Sequence, residues 1–238
     1  MRDTKERILD AAESLFAEQG FDGASLRAIT TAAGVNLAAV NYHFSSKEAL
    51  LQSVFARKLA PLNRERLALL DALEAEAAGA PVQLKRLVQA FLEPVVRLIE
   101  KPAESGISFG MLLGRMYTTS TPSTRNIFLD EIRVLARRFS AAFQRSLPGL
   151  AFEEVAWRMF FGIGAMSQIL AASWMLPIVS EGRADVSDVD GIVDSLTSFV
   201  TAGLQADPAR HSVCSGRRRF PESRRGPRRR SGGRPESS

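Results

Sequence analysis

The chain has 238 residues, 45% apolar and 24% charged, so it can bury a sizeable core in one or two domains and is not disordered throughout. Cys214 is the only cysteine, and His43 and His211 are the only histidines; a disulfide framework, a structural zinc cluster and a multi-histidine metal site are excluded, and no cofactor is expected. The net charge of +5 belongs to the end of the chain: residues 209–238 hold ten arginines and two glutamates, leaving residues 1–208 with 21 basic and 24 acidic side chains. If the body binds nucleic acid, a local constellation must do it, because its overall field does not help.

The N-terminus opens charged, with Arg2, Asp3, Lys5, Glu6 and Arg7, and lacks the pattern of a signal peptide, so a cytoplasmic protein is expected. No stretch alternates with period two, and Gly and Pro fall between runs of helical periodicity, which predicts an all-α fold. A first helix spans about Thr4 to Gln19. Asp3 and Glu6 are spaced as a capping box, Ile8, Leu9, Ala12, Leu15 and Phe16 form one face, and Gly20 stands where a C-cap belongs. A second, capped by Ser25, buries Leu26, Ile29 and Ala33 and stops at Gly34; a third follows Asn36 and reaches Phe44. Ser45 and Glu48 read as a second capping box opening a long helix across Pro61 towards Ala77.

Further helices are expected near residues 82–100, bent at Pro94, and at 107–119, 122–147, 152–175 and 187–205. The composition changes abruptly after Pro208. The arginine-, serine-, glycine- and proline-rich end cannot bury enough apolar surface to offset its ordering entropy and reads as a disordered tail over 207–238. Its bland reading is a solvated extension; its functional one is a phosphate-binding arm.

Helices two and three, joined at Gly34-Val35-Asn36, have the lengths of a helix-turn-helix. Val40 and Phe44 are four apart and should face inward, leaving Leu37, Ala38, Ala39, Asn41, Tyr42 and His43 for the outer surface or its margins. Ala38 and Ala39 keep that helix slim enough for a major groove, and Asn41 can pair bidentately with adenine. Tyr42 and His43 can reach phosphates or base edges, the helix start at Asn36 suits a phosphate, and Arg27 and Lys47 would flank the groove as clamps. Against this, Tyr42 and His43 could simply brace the third helix against its neighbours.

The run RILDAAESLFAEQGFDGASLRAITTAAGVNLAAVNYHFSSKEALL, from Arg7 to Leu51, resembles the N-terminal domain of the TetR family of bacterial repressors. By position, the resemblance puts the groove-reading helix on Leu37 to His43 and phosphate contacts on Arg27, Tyr42, His43 and Lys47. Leu37 and the Ala38-Ala39 pair depart from the polar residues many members carry, so hydrogen-bonded readout rests mainly on Asn41, and the rest on thymine methyls and DNA shape.

The resemblance further implies a DNA-binding domain over 1–47 and a ligand-binding and dimerisation domain over 48–206, the latter pairing through its last two helices. The residues allow it. The stretch MFFGIGAMSQILAASWMLPIVS between Arg158 and Glu181 carries no charge; its small and polar residues favour a homodimer interface over a membrane span. Gly162, Ala165, Ile169, Ala172, Val193, Leu196, Phe199 and Val200 are the interface expected. An effector cavity could be lined by Phe91, Phe109, Leu113, Met116, Tyr117, Phe128, Phe139, Trp157 and Phe161, with Arg115 and Tyr117 as polar groups at its mouth. Gly106, Gly110 and Gly114 suggest loose packing there. The wording GVNLAAVNYHFSSKEALL and FGMLLGRMY resembles the branch of the family whose repressors respond to fatty acids, implying a long apolar acid or its thioester as effector.

The expected protein is thus a homodimeric, ligand-responsive regulator of double-stranded DNA. Two rivals remain: a repressor of a drug-efflux system, and a helical carrier of hydrophobic ligands without DNA activity. The seven basic and seven acidic side chains of residues 1–60 favour the carrier. No G-x-S-x-G, H-E-x-x-H, C-x-x-C or P-loop pattern occurs, so no catalytic residue is assigned and an enzyme is not expected.

Overall fold

A computed structural model describes residues 3–100, 107–119 and 122–207. Among them are ten α-helices and no strand. The first, α1 (Thr4–Gly23), buries Ile8, Leu9, Ala12 and Phe16. Gly20 does not end it. The backbone turns sharply there (φ 76°, ψ 169°) and a last stretch runs on to Gly23, where the Ala24 amide donates to the Gly20 carbonyl. Asp3 makes no side-chain cap bond, and Glu6 instead reaches across to Arg57, so the first expected capping box does not form.

Helix α2 (Leu26–Ala33) is capped by Ser25, whose hydroxyl accepts from the Ala28 amide at 3.0 Å. It closes on Gly34, whose left-handed conformation (φ 61°, ψ 41°) side chains rarely adopt. Helix α3 (Leu37–His43) is capped by Asn36 Oδ1, which accepts from the Ala39 amide at 2.9 Å. Helix α4 (Lys47–Glu76) starts one residue later than expected. Its cap is Ser46, not Ser45, because the hydroxyl that reaches the Ala49 amide, at 3.1 Å, lies three residues before it. Pro61 sits inside α4 without ending it, held between the buried Leu59 and Leu62.

The body continues with α5 (Leu84–Val96), a 3₁₀ turn over Arg97–Glu100, α6 (Ile107–Thr119), α7 (Pro122–Ser146) and α8 (Phe152–Ala172). A 3₁₀ turn (Ser173–Met175), the short α9 (Leu176–Val179) and α10 (Val189–Gln205) follow. Asp188 caps α10 by accepting from the Gly191 amide at 2.9 Å. The expected helices at 82–100 and 152–175 are therefore each shortened by a 3₁₀ turn, and the short α9 lies between the expected helices that end at 175 and begin at 187.

Helix α1 packs on α2, α4 and α6, so the N-terminal helices and the body share one continuous core. Helix α4 lies against α5 and α7, α6 against α8, and α10 against α5 and α8. The span Phe152–Val179 is apolar and long enough to cross a membrane by length and composition. It carries Arg158, however, which is buried: Nε donates to Glu154 and Nη1 to the carbonyls of Leu204 and Ala206, so a cation closes the C-terminus of α10. Gly110 and Gly114 do not loosen the packing. A β-carbon at Gly114 would stand 3.1 Å from that of Ala171 and 3.3 Å from its backbone nitrogen, so glycine is what lets α6 and α8 approach. Gly106 and the arginine-rich end, from residue 208, lie outside the described residues.

Candidate nucleic-acid interface and effector core

Helix α3 has two unlike sides. Val40 and the capping Phe44 are buried, as their spacing predicts, while Leu37, Ala38, Asn41 and Tyr42 are exposed, Tyr42 at 86%. Ala39 and His43 lie at the margin, half-buried; the His43 ring stands edge-on to Tyr42 at 5.1 Å and tilts against Phe44 at 6.2 Å. The outer face is therefore small at its start, apolar at Leu37, and polar at Asn41 and Tyr42. Of the two expected clamps, Arg27 is exposed and Lys47 half-buried, with the Lys47 ammonium 4.4 Å from the centre of the Phe21 ring.

A residue that sequence reasoning missed fixes the turn. Arg7, on α1, donates from Nη2 to the carbonyls of Ala33 and Gly34, the latter at 2.8 Å, satisfying groups that the end of α2 leaves open. Its partners lie 26 and 27 residues away, so no local pattern could reveal it.

Two polar links join α1 to the body. Arg57 on α4 donates to Glu6, Asp10 and Glu13 at 2.8–2.9 Å, and Lys58 approaches Glu13 at 3.5 Å. Burial pushes the Glu13 carboxyl up, against the pull of Lys58 and Arg57, and its Oε1 has no hydrogen-bond partner. Arg115 on α6 donates to the Glu18 carbonyl at 3.0 Å. It lines a cavity of about 150 Å³ with Phe16, Gln19, Gly20, Leu112 and Met116. Arg115 therefore stands at the junction of α1 and α6, not at the mouth of the aromatic core.

That core gathers most of the expected effector residues. Phe109, Leu113, Met116, Phe128, Phe91 and Phe139 are buried. Phe55 joins Phe109 and Phe128, Tyr117 stands edge-on to Phe128 at 5.0 Å, and Phe91 meets Phe139 at 5.0 Å and Phe143 at 6.0 Å. Trp157 and Phe161 are not among them. They stack on each other at 5.9 Å on the exposed side of α8, because the face of that helix that turns inward carries Val155, Arg158, Gly162 and Met166.

In the middle of the aromatic core lies a second residue that the sequence did not announce. Arg66, on α4, is 1% exposed, with its guanidinium carbon 4.3 Å from the centre of the Phe91 ring and 5.9 Å from that of Phe139. It is hydrogen-bonded to the Tyr117 hydroxyl; its Nε and Nη2 have no partner. Burial pulls its pKa down to about 10, partly offset by Tyr117, so the group remains a cation at neutral pH. Burial likewise pushes the Tyr117 phenol up, against the pull of Arg66.

The expected interface residues also divide. Val193, Leu196 and Val200 are buried within the protomer, and Gly162 packs on Val200, where a β-carbon would stand 3.0 Å from Cγ1. These residues join α8 and α10 to each other and to α5 rather than facing outward, because α10 turns one apolar stripe to its own core. Ala165, Ile169 and Ala172 are half-buried, and Phe199 is 69% exposed. Trp157, Phe160, Phe161, Trp174, Ile178 and Val179 are exposed as well. Phe199 lines a groove of about 680 Å³ with Ile169, Leu176, Val179 and Ile192.

A helix-turn-helix on α2 and α3, set on a larger helical body with an aromatic core, defines a helix-turn-helix protein with a C-terminal helical domain. The chain belongs to the TetR family of bacterial regulatory proteins: the family's N-terminal model matches residues 8–54, and a tetracyclin repressor-like C-terminal domain matches residues 89–203. The HTH-type transcriptional regulator UidR of Escherichia coli (strain K12) is 43% identical over 51 residues, covering 21% of this chain and 26% of that protein. The chain thus matches about a quarter of the length of that relative. The fold recurs in SCO3833 from Streptomyces coelicolor A3, a member of the TetR transcriptional regulator family, with a TM-score of 0.57 and 23% identity, covering 87% of this chain and 94% of that one. It recurs also in the transcriptional regulator FadR from Bacillus subtilis, solved in complex with stearoyl-CoA, with a TM-score of 0.55 and 15% identity over 83% of this chain and 98% of that one.

Proposed function

We propose that this protein is a cytoplasmic, homodimeric transcriptional repressor, which binds a pseudo-palindromic operator through α3 and is released by a small apolar effector held in its body. The observation that carries the reading is the division of α3: Val40 and Phe44 anchor it inward, while Leu37, Ala38, Asn41 and Tyr42 stand free on a helix slim enough for a major groove. Asn41 supplies the base-specific hydrogen bonds, Ala38, Ala39 and Leu37 supply methyl contacts, and Arg27, the Asn36 helix start, Tyr42, His43 and Lys47 hold phosphates. In this reading residues 1–47 are the DNA-binding domain, 48–206 the ligand-binding and dimerisation domain, and the exposed face of α8 and α10 the seat of a second copy.

The effector reading is supported by the buried aromatic core and by its direct mechanical connection to the DNA-binding helices. Helices α4 and α6 both line the core and both touch α1, through Arg57 and Arg115. An effector that binds better to a geometry in which α4 or α6 has shifted must weaken operator binding by the same free energy. The stearoyl-CoA bound by the Bacillus subtilis FadR supports a long apolar acid or its thioester as the class of effector.

Fluorescence anisotropy on labelled DNA from upstream of the protein's own gene tests this. Binding should fall steeply with salt, as phosphate contacts demand. Asn41→Ala should weaken it by about tenfold or more, within the range of a lost bidentate base contact. Lys47→Ala should weaken specific and non-specific duplexes alike. Unchanged binding by both variants would remove α3 as the reading face.

A further inference from the structure

We propose that Arg66 is the anchor of an anion-binding site in the centre of the body, and that the effector is a free apolar carboxylic acid bound carboxylate-first against it. The proposal rests on the effector reading above and narrows it. A guanidinium carries five N–H donors in a rigid fork and cannot shed its charge at neutral pH. Here that fork is walled off from solvent by Phe91, Phe139 and Tyr117, with the Tyr117 hydroxyl as a neutral companion. No carboxylate among the described residues pairs with it, although every other buried charged side chain among them has an ionic partner: Glu13 has Arg57, and Arg158 has Glu154.

The unmatched donors are Nε and Nη2, the adjacent pair of a guanidinium that a carboxylate engages with two parallel hydrogen bonds. One turn earlier on the same buried side of α4, Asn63 donates to the Glu131 carbonyl and leaves its own Oδ1 without a partner, a second unmatched polar group beside the first. An uncompensated cation in an apolar interior is costly, and leaving it so is explained if an anion that arrives with its own apolar tail completes it. Phe55, Phe109 and Phe128 continue the packed aromatic surface beyond Tyr117, so a tail that parts these rings meets apolar groups.

The same chemistry separates the free acid from its thioester. A thioester carbonyl is neutral, and the phosphates of coenzyme A belong at a wet surface, so neither supplies an anion to a cation enclosed by aromatic rings. The free carboxylate does.

Isothermal titration of the full chain without DNA decides the matter, using decanoate and benzoate as acids, decanol as the neutral analogue and decanoyl-CoA as the thioester. Decanoate, benzoate or both should bind, and decanoate should bind at least about tenfold more tightly than decanol, as a charge-assisted fork contact implies. Arg66→Met should abolish that preference while leaving decanol binding within about twofold, and should raise the melting temperature of the free protein, because it removes an unpaired buried charge. Equal affinities for decanoate and decanol, binding of decanoyl-CoA in place of the acid, an Arg66→Met variant that still prefers decanoate, or no binding of either acid would each overturn the proposal. Should Arg66→Met not fold, the acid-to-alcohol ratio of the unaltered protein decides alone. Operator release is scored separately by anisotropy: acid binding that depends on Arg66 but leaves DNA affinity unchanged would sink the effector reading and leave the anion site standing.

Discussion

Glu13 is a buried carboxylate facing two cations from α4, Arg57 and Lys58, and on α1 it shares Arg57 with Glu6 and Asp10. Desolvation outweighs the attraction, and its folded-state pKa stands above the ordinary 4.5. The stability this group contributes is therefore fully present below about pH 4.5 and is lost as pH rises through the raised value, since between the two the folded state holds a proton that the unfolded chain has released. Glu13→Gln cannot take up that proton. Denaturant unfolding of both proteins from pH 7 to pH 5 should show the unaltered chain gaining on the variant as pH falls; a constant difference would mean that Glu13 titrates normally. Arg7 acts at the same scale: it bonds two carbonyls at the turn and so sets the angle at which α3 leaves α2.

At the scale of the element, α6 is the helix on which most depends, because it touches α1 through Arg115, the aromatic core through Tyr117, and α8 along its glycine side. Two substitutions on that side should have opposite effects. At Gly110 a β-carbon would meet Leu170 at an ordinary 3.6 Å, so Gly110→Ala should stabilise the protein by up to about 1 kcal/mol through helix propensity. At Gly114 the neighbours are the β-carbon and backbone nitrogen of Ala171 and the Ser167 carbonyl, fixed to the α8 backbone and unable to step aside, so Gly114→Val should cost about 1–3 kcal/mol. Urea midpoints at constant slope would measure both. A stabilised Gly114→Val would show that α6 and α8 are free to separate.

The whole molecule carries an apolar exterior that its own helices leave uncovered. Trp157, Phe160, Phe161 and Phe199 are exposed together with the apolar residues around α9, an arrangement a soluble protomer rarely leaves in water. A second copy seated there would cover them. Phe161→Glu combined with Phe199→Glu should convert a dimer to a monomer in sedimentation velocity while helicity by circular dichroism is retained, because both side chains point away from the protomer's core. The double variant should also bind a palindromic duplex far more weakly than a dimer does, since each half-site would then be held alone. A double variant that still sediments as a dimer would place the interface elsewhere.

Local order was legible in the chain because it is written at short range. The 3.6-residue periodicity, Ser25 and Asn36 three residues before the amides they cap, and Gly34 at a left-handed turn all act within a few residues, and each stands where the pattern puts it. Recognition of Val40 and Phe44 as the inner side of α3 needed only their separation of four. Where two hydroxyls compete, as Ser45 and Ser46 do before α4, the pattern is one residue too coarse, and it does not foresee Gly20 kinking a helix it was expected to end.

Facing was decided by the tertiary structure alone. An apolar stripe such as Val193, Leu196 and Val200 is the same string whether it meets its own core or a second copy; only the position of α5 and α8 turns it inward and leaves Phe199 outside. Trp157 and Phe161 were grouped with Phe91 by their chemistry and separated from it by the roll of α8. Arg7 and Arg66 could not be told from solvated surface charges, because burial and hydrogen bonding across tens of residues are properties of packing, and a side chain's partners exist only once distant helices have been brought together.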